Sequence, residues 1–265
     1  MKDRLDVLLV NKGLFTSREK AKASIMAGLI YVDGQRVDKA GTAVNHEAEI
    51  KIKENLCPYV SRGGLKLEKS MVEFRFRLDN TVAVDIGAST GGFTDCMLQN
   101  GARKVFAIDV GYGQLDWKLR NDPRVVNMEK VNIRYLDIDT IDKDVDFISI
   151  DVSFISLNLV FPVAAKLLSP EGNLVCLVKP QFEAGREQVG KKGIIRDRNV
   201  HEEVIKNVIA YGKKQGLYPY GLTFSPVTGA KGNIEYLLHL KKTAPLLDID
   251  LSIETLVNLS HEELE

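Results

Sequence analysis

The stretch Thr81-Val82-Ala83-Val84-Asp85-Ile86-Gly87-Ala88-Ser89-Thr90-Gly91-Gly92-Phe93 decides how the chain is read. An apolar run of strand length ends in an acid and passes into a glycine-rich loop, whose backbone can turn tightly and approach a ligand closely. Runs of the same kind follow at Lys104 to Ile108, Val145 to Ile150 and Leu174 to Val178, with helical stretches between them. This alternation predicts the α/β class, a mainly parallel sheet with helices on both faces. Ligands of such sheets bind outside the carboxyl ends of the strands, near the switch in strand order, so functional residues are expected just after each run. The loop does not follow the dinucleotide-binding pattern GxGxxG, because Ala88, Ser89 and Thr90 follow Gly87, and it lacks the lysine of a GxxxxGK[ST] loop.

Upstream of this region lies a smaller unit. Asp3 precedes the apolar positions Leu5, Leu8 and Leu9, which predicts an amphipathic helix stopped by Gly13. Thr16 and Glu19 have the spacing of a capping box for a second helix, with Ala23, Ile25 and Met26 as its buried side and Gly28 as its end. Leu29 to Val32 and Gln35 to Val37 flank Asp33-Gly34, a strong hairpin signal because both turn positions need positive φ. Arg18, Lys20 and Lys22 near the second helix, with Arg36 and Lys39 on the hairpin, are expected on one edge able to meet phosphates. The pattern breaks at Leu56-Cys57-Pro58-Tyr59, and Ser61 is a good helix N-cap beyond it.

The 265 residues contain 36 Lys plus Arg and 36 Asp plus Glu, so any basic surface must be a local patch. Cys57, Cys96 and Cys176 are an odd set without CxxC spacing, which argues against a disulfide framework or a zinc site and for a reducing compartment. The N-terminus alternates charged and apolar residues where an export signal needs an unbroken apolar core, so cytoplasm is expected. The longest apolar stretch, Leu157 to Leu168, contains Asn158 and Lys166 and falls short of the roughly 20 residues of a membrane span, so no membrane partner is expected. No metal-ligand cluster is visible.

Residues 4 to 41 resemble an S4 RNA-binding module almost position for position. Asp85 before the first glycine resembles motif I of class I methyltransferases, whose methyl donor is S-adenosylmethionine. That resemblance makes Asp109, at the end of the second run, an acceptor for the two ribose hydroxyls of the cofactor. It leaves Asn132 for the adenine edge. Asp151-Val152-Ser153-Phe154 stands where base amino-methylases carry N/D-P-P-Y/F, and Cys176 lies inside an apolar run rather than in a Pro-Cys context, so base methylation is disfavoured. Lys66, Asp151, Lys179 and Glu235 then form a Lys-Asp-Lys-Glu set. With YVSRGGLKL, DIGASTGGFTD, DVGYGQL, DVSFISL, LVKPQFEAGR and KGNIEYLL in this order, residues 59 to 241 resemble the FtsJ-like ribose 2′-O-methyltransferases, and the join to an S4 module resembles the TlyA family.

The resemblance implies an S4-like domain over 1–57, a linker over 58–60, a methyltransferase domain over 61–242 and a helical tail over 243–265. It implies methylation of cytidine ribose in ribosomal RNA, of the large subunit in some members and of both subunits in others, with ribosomal RNA or subunits as partners. Lys66, Asp151, Lys179 and Glu235 are the catalytic candidates: Lys179 as base once cofactor is bound, Asp151 and Glu235 orienting it, and Lys66 steering the hydroxyl. The cofactor candidates are Asp85, Gly87, Ala88, Ser89, Thr90, Gly91, Gly92, Phe93, Asp109, Val110, Asn132 and Asp151. The RNA-binding candidates are Arg4, Ser17, Arg18, Lys20, Lys22, Arg36, Lys39 and Arg62. The basic segment Glu183 to Arg198 reads either as a loop closing over RNA or as a solvated one. Two rivals remain: a ribosome assembly factor with a vestigial methylase fold, and, from the family's usual label, a pore-forming haemolysin, which the neutral composition and lack of a spanning segment oppose.

Overall fold

The computed structural model describes all residues except 1, 16, 27, 53–56, 142–143, 191–192, 247–250 and 265, and the side chains of 23, 186 and 230. The chain divides into two compact units, Met1–Pro58 and Tyr59–Glu265.

In the first unit, strand β1 (Lys2–Arg4) leads into helix α1 (Leu5–Asn11), followed by α2 (Arg18–Met26), β2 (Ile30–Val32), β3 (Gln35–Arg36), β4 (Ala43–Asn45) and β5 (Ile50–Ile52). Leu5, Leu8 and Leu9 of α1 pack with Ala21 and Ile25 of α2 into a small core with Ile30 and Val44. The stripe on α2 runs i to i+4 from Ala21 to Ile25, which leaves Met26 off it. Met26 is 73% exposed, against the expected buried position. Thr16, the expected cap, lies outside the described residues; Ser17 performs the cap, its Oγ accepting from Lys20 N at 3.3 Å. Asp33 (φ 50°) and Gly34 (φ 78°) turn β2 into β3, as the Asp-Gly pair predicts.

The second unit opens with α3 (Gly63–Phe74), whose N-cap is Arg62 in helical conformation rather than Ser61. Strands β6 (Val82–Ile86), β7 (Lys104–Asp109), β8 (Val125–Glu129), β9 (Val145–Ile150), β10 (Leu168–Val178), β11 (Tyr218–Phe224) and β12 (Tyr236–Lys241) form one sheet in the order β11-β12-β10-β9-β6-β7-β8. Helices α4 (Gly92–Gln99), α5 (Trp117–Arg120), α6 (Phe161–Leu167), α7 (Pro180–Glu183), α8 (Arg198–Lys214) and α9 (Ile253–Leu264) complete it. The five strands β8, β7, β6, β9 and β10 are parallel, while β12 runs antiparallel to both β10 and β11. After β8 the chain returns to the other side of β6, which makes the β6/β9 junction the switch point where a ligand crevice is expected. The tail is not a separate appendage: Val257 of α9 is fully buried in the main core.

Candidate active site

Register places the site. Ile86 of β6 pairs with Ile150 of β9, and Val178 of β10 pairs with Tyr236 of β12. Asp151 therefore leaves the sheet beside Gly87, and Lys179 leaves it beside Glu235. Because β12 runs against its neighbour, its first residues, not its last, reach the carboxyl edge of the parallel strands. Lys66 arrives on α3, whose buried side includes Leu67 and Ser70.

The four side chains form a line of alternating charge. Glu235 Oε2 lies 2.6 Å from Lys66 Nζ, Lys66 Nζ lies 3.8 Å from Asp151 Oδ2, and Asp151 Oδ1 is in direct contact with Lys179 Nζ. Lys66, Lys179 and Glu235 are buried. Burial of such charges is tolerable only when each has a partner, and here two ammonium and two carboxylate groups balance. The expectation that Glu235 orients Lys179 is corrected: Glu235 holds Lys66, and Asp151 holds Lys179. Lys179 Nζ also donates to Ser153 Oγ at 3.3 Å, a contact the sequence did not signal.

Two clefts meet at this line. One, about 440 Å³, is lined by Arg62, Lys66, Lys179, Phe182, Gly229 and Glu235 among others. The second, about 740 Å³, is lined by Ile108, Asp109, Val110, Val131, Asn132 and Ile133 among others. Gly87, Ser89, Asp151, Ser153 and Phe154 border both. Phe154, in the left-handed region at φ 62°, is 91% exposed, and its ring tilts against Phe182 at 4.9 Å between centroids.

The expected cofactor residues divide by role. Asp85 is buried, and its carboxylate accepts from Thr94 N at 3.0 Å, Thr94 Oγ1 at 2.7 Å and Ser149 Oγ at 2.8 Å. It thus braces α4 against β9, and burial pushes its carboxyl up to about 6. Asp109 accepts one backbone N–H on each oxygen, from Ser89 at 2.8 Å and Gly111 at 2.7 Å. One lone pair per oxygen remains for a diol, and apolar Ile108, Val131, Ile133 and Leu159 line the same cleft, a donor set and shape that fit an adenine nucleoside. Asn132 is exposed, and its Oδ1 caps the following turn through Arg134 N at 3.1 Å. Val110 is exposed, Phe93 and Ala88 are buried beneath the loop, and Ser89 and Thr90 are exposed on it. Gly91 starts α4 at φ 92°, and Gly92 is its first residue. Gly87, at φ 87°, approaches so closely that a Cβ would stand 2.4 Å from the Asp151 carbonyl oxygen.

Gly229 is a further residue that sequence reasoning missed. A Cβ there would stand 2.0 Å from Glu235 Oε1, so only glycine leaves room for that carboxylate. Within the segment after Glu183, Asn233 holds two residues: its Nδ2 donates to Gly193 O at 3.0 Å and its Oδ1 accepts from Ile195 N at 3.2 Å. Cys176 is fully buried in β10, and burial pushes its thiol up, away from any nucleophilic role. Arg62 is exposed at the cleft rim.

In the first unit, Arg4 and Arg18 converge on Asp6. Arg36 is elsewhere, its guanidinium lying over Gly28 beyond the other end of α2, so the expected single edge is split. Lys20 and Lys39 are exposed, and Ser17 and Lys22 are half-buried.

Comparison with known proteins gives matches over both units. Residues 59–242 match the model of FtsJ-like methyltransferases, and residues 3–50 that of the S4 domain. A Bacillus subtilis protein provisionally named an rRNA methyltransferase is 55% identical over 90% of this chain and 85% of its own. The 16S/23S rRNA (cytidine-2′-O)-methyltransferase TlyA of Mycobacterium tuberculosis is 41% identical over 90% of this chain and 89% of its own. A solved structure of a provisionally named hemolysin from Streptococcus thermophilus is 50% identical, with a TM-score of 0.79, covering 99% of this chain and 96% of that one.

Proposed function

The chain belongs to the FtsJ-like methyltransferase family, with an S4 domain ahead of the catalytic unit, and on that premise we propose that it methylates the 2′-hydroxyl of cytidine in ribosomal RNA, the large-subunit RNA first. The observation that carries the reading is the buried Glu235–Lys66–Asp151–Lys179 line at the junction of the two clefts.

S-adenosylmethionine, the cofactor of this family, supplies an electrophilic methyl group when bound. In this reading the Asp109 carboxylate and the loop from Gly87 to Gly92 would hold its nucleoside. A ribose hydroxyl is a weak nucleophile until its proton is removed, so the protein must hold a base against O2′ in the other cleft. Lys179, fixed by direct contact with Asp151, in this reading gives up its own proton to solvent once the positively charged cofactor is bound, and the neutral Nζ then takes the proton from O2′. Lys66, held by Glu235, steers the hydroxyl oxygen as its proton leaves. The exposed ring of Phe154, backed by Phe182, offers a face for a base drawn out of its stack. The S4 unit supplies phosphate contacts that give affinity and register. The TlyA relative's name supports cytidine as the target. Among the described residues no helix is long and apolar enough to cross a membrane.

The test is methyl transfer from tritiated S-adenosylmethionine to purified ribosomal subunits, wild type beside Lys179→Ala and Lys179→Arg, with the product mapped by mass spectrometry. Label on a cytidine ribose that falls at least about a hundredfold in both variants supports the reading, because arginine keeps the charge but does not release its proton. Label on a base, or near-normal turnover in Lys179→Arg, defeats it.

A further inference from the structure

Asp6 lies in the first turn of α1 with its side chain fully covered, yet its carboxylate serves two half-exposed arginines. Arg4 grips it with two donors, Nε to Oδ1 at 3.0 Å and Nη2 to Oδ2 at 3.2 Å, and Arg18 Nη2 reaches Oδ2 at 2.9 Å. Both arginines therefore share one oxygen, which holds their Nη2 atoms within about 6 Å of each other. Two guanidinium groups so close repel and would splay apart without an anion between them. The bidentate hydrogen bonds from Arg4 hold the Asp6 carboxyl down at about 2, so it stays charged across the whole working range of pH.

The group is more than a staple between α1 and α2. Arg4 spends two of its five N–H donors on Asp6 and Arg18 spends one, so most of both forks is unspent and both side chains remain about half exposed to solvent. The three charges sum to one positive charge, the complement of a single phosphodiester. Ordering long, flexible side chains is a main cost of binding through arginine, and here that cost is met before RNA arrives. We infer that Asp6 is a positioning residue for RNA recognition: it pre-orders Arg4 and Arg18 as one phosphate-binding fork. The inference rests on the RNA-binding role proposed for this unit.

It makes a prediction opposite to bulk electrostatics. Removing an acid from an RNA-binding face ordinarily tightens binding, and that is expected for Glu19→Gln, an exposed acid adjacent to Arg18. Asp6→Asn should instead weaken RNA binding by the full chain about tenfold, the ordering cost of two side chains. The slope of log affinity against log salt should become shallower by about one, the loss of one phosphate contact, even though net charge rises. Binding is measured by filter retention of a ribosomal RNA fragment, and the melting profile of each variant is recorded beside it. Equal or tighter binding by a folded Asp6→Asn chain overturns the inference. Should that variant not fold, arginine Nε–Hε resonances of the wild-type chain without RNA decide: a slowly exchanging, ordered Arg4 signal supports pre-ordering, and a signal as mobile as a free guanidinium overturns it. If the wild type itself binds no RNA, the wider reading of the unit fails, and that outcome is distinct from a wild type and an Asp6→Asn variant that bind alike.

Discussion

Lys66 Nζ lies 2.6 Å from Glu235 Oε2, although 169 residues separate the two in the chain. The contact exists because α3 buries Lys66 at the carboxyl edge of the sheet while antiparallel β12 begins there. It makes Glu235 the keeper of the second lysine, not of the proposed base.

Glu235→Gln keeps the shape and removes the charge. Lys66 would keep at most a weaker hydrogen bond to the amide oxygen, its remaining charged partner would be Asp151 at 3.8 Å, and it should shift toward that carboxylate. We expect kcat to fall about a hundredfold, the scale of an ångström's misplacement at a reacting centre, with the KM for S-adenosylmethionine little changed. Steady-state kinetics check this, and an unchanged kcat would remove Glu235 from the catalytic machinery.

Gly229→Ala crowds the Glu235 carboxylate out of its seat. Its φ is ordinary, so alanine fits the backbone, and the new Cβ collides only with the tip of the Glu235 side chain. Pushing the buried Glu235 carboxylate off Lys66 should cost about 3 kcal/mol of stability, the scale of a broken buried ion pair, and lower the melting temperature, while turnover falls as in Glu235→Gln. Thermal denaturation and methyl transfer on one preparation test it; a fully active variant would show that Glu235 can move at no cost to the reaction.

Asp85 gives stability a pH dependence. Its carboxyl is near 6 in the folded chain and ordinarily near 3.8, so the native state binds that proton more tightly than the unfolded state. Stability contributed by this group therefore falls as pH rises from about 4 to about 6 and is level above, a loss of about 3 kcal/mol. Asp85→Asn should lack that component. Urea denaturation of both proteins at pH 4.5 and 7 measures the difference, and parallel pH profiles would refute the assignment.

Asp109→Ala should abolish most cofactor affinity without unfolding the sheet, since its carboxylate is only half-buried at the end of β7. Loss of a bidentate charged acceptor predicts at least about a tenfold rise in Kd for S-adenosylmethionine by calorimetry. Unchanged affinity would place the nucleoside elsewhere.

The alternation of apolar runs and helical stretches was sufficient for the parallel core, because strand and helix periods are local properties of the chain. The glycine-rich loop and the strand-end positions of Asp109, Asp151 and Lys179 were legible for the same reason. Partnership was not. Which lysine Glu235 serves depends on the antiparallel register of β12 against β10, set by packing between segments far apart in sequence. The need for glycine at 229 arises from one carboxylate passing over it, and the backbone angles there carry no sign of it. In the first unit Arg4, Arg18 and Arg36 look alike as charges in sequence. Only folding gathers two of them on Asp6 and leaves the third on Gly28, because a charge's partner is chosen by distance in space.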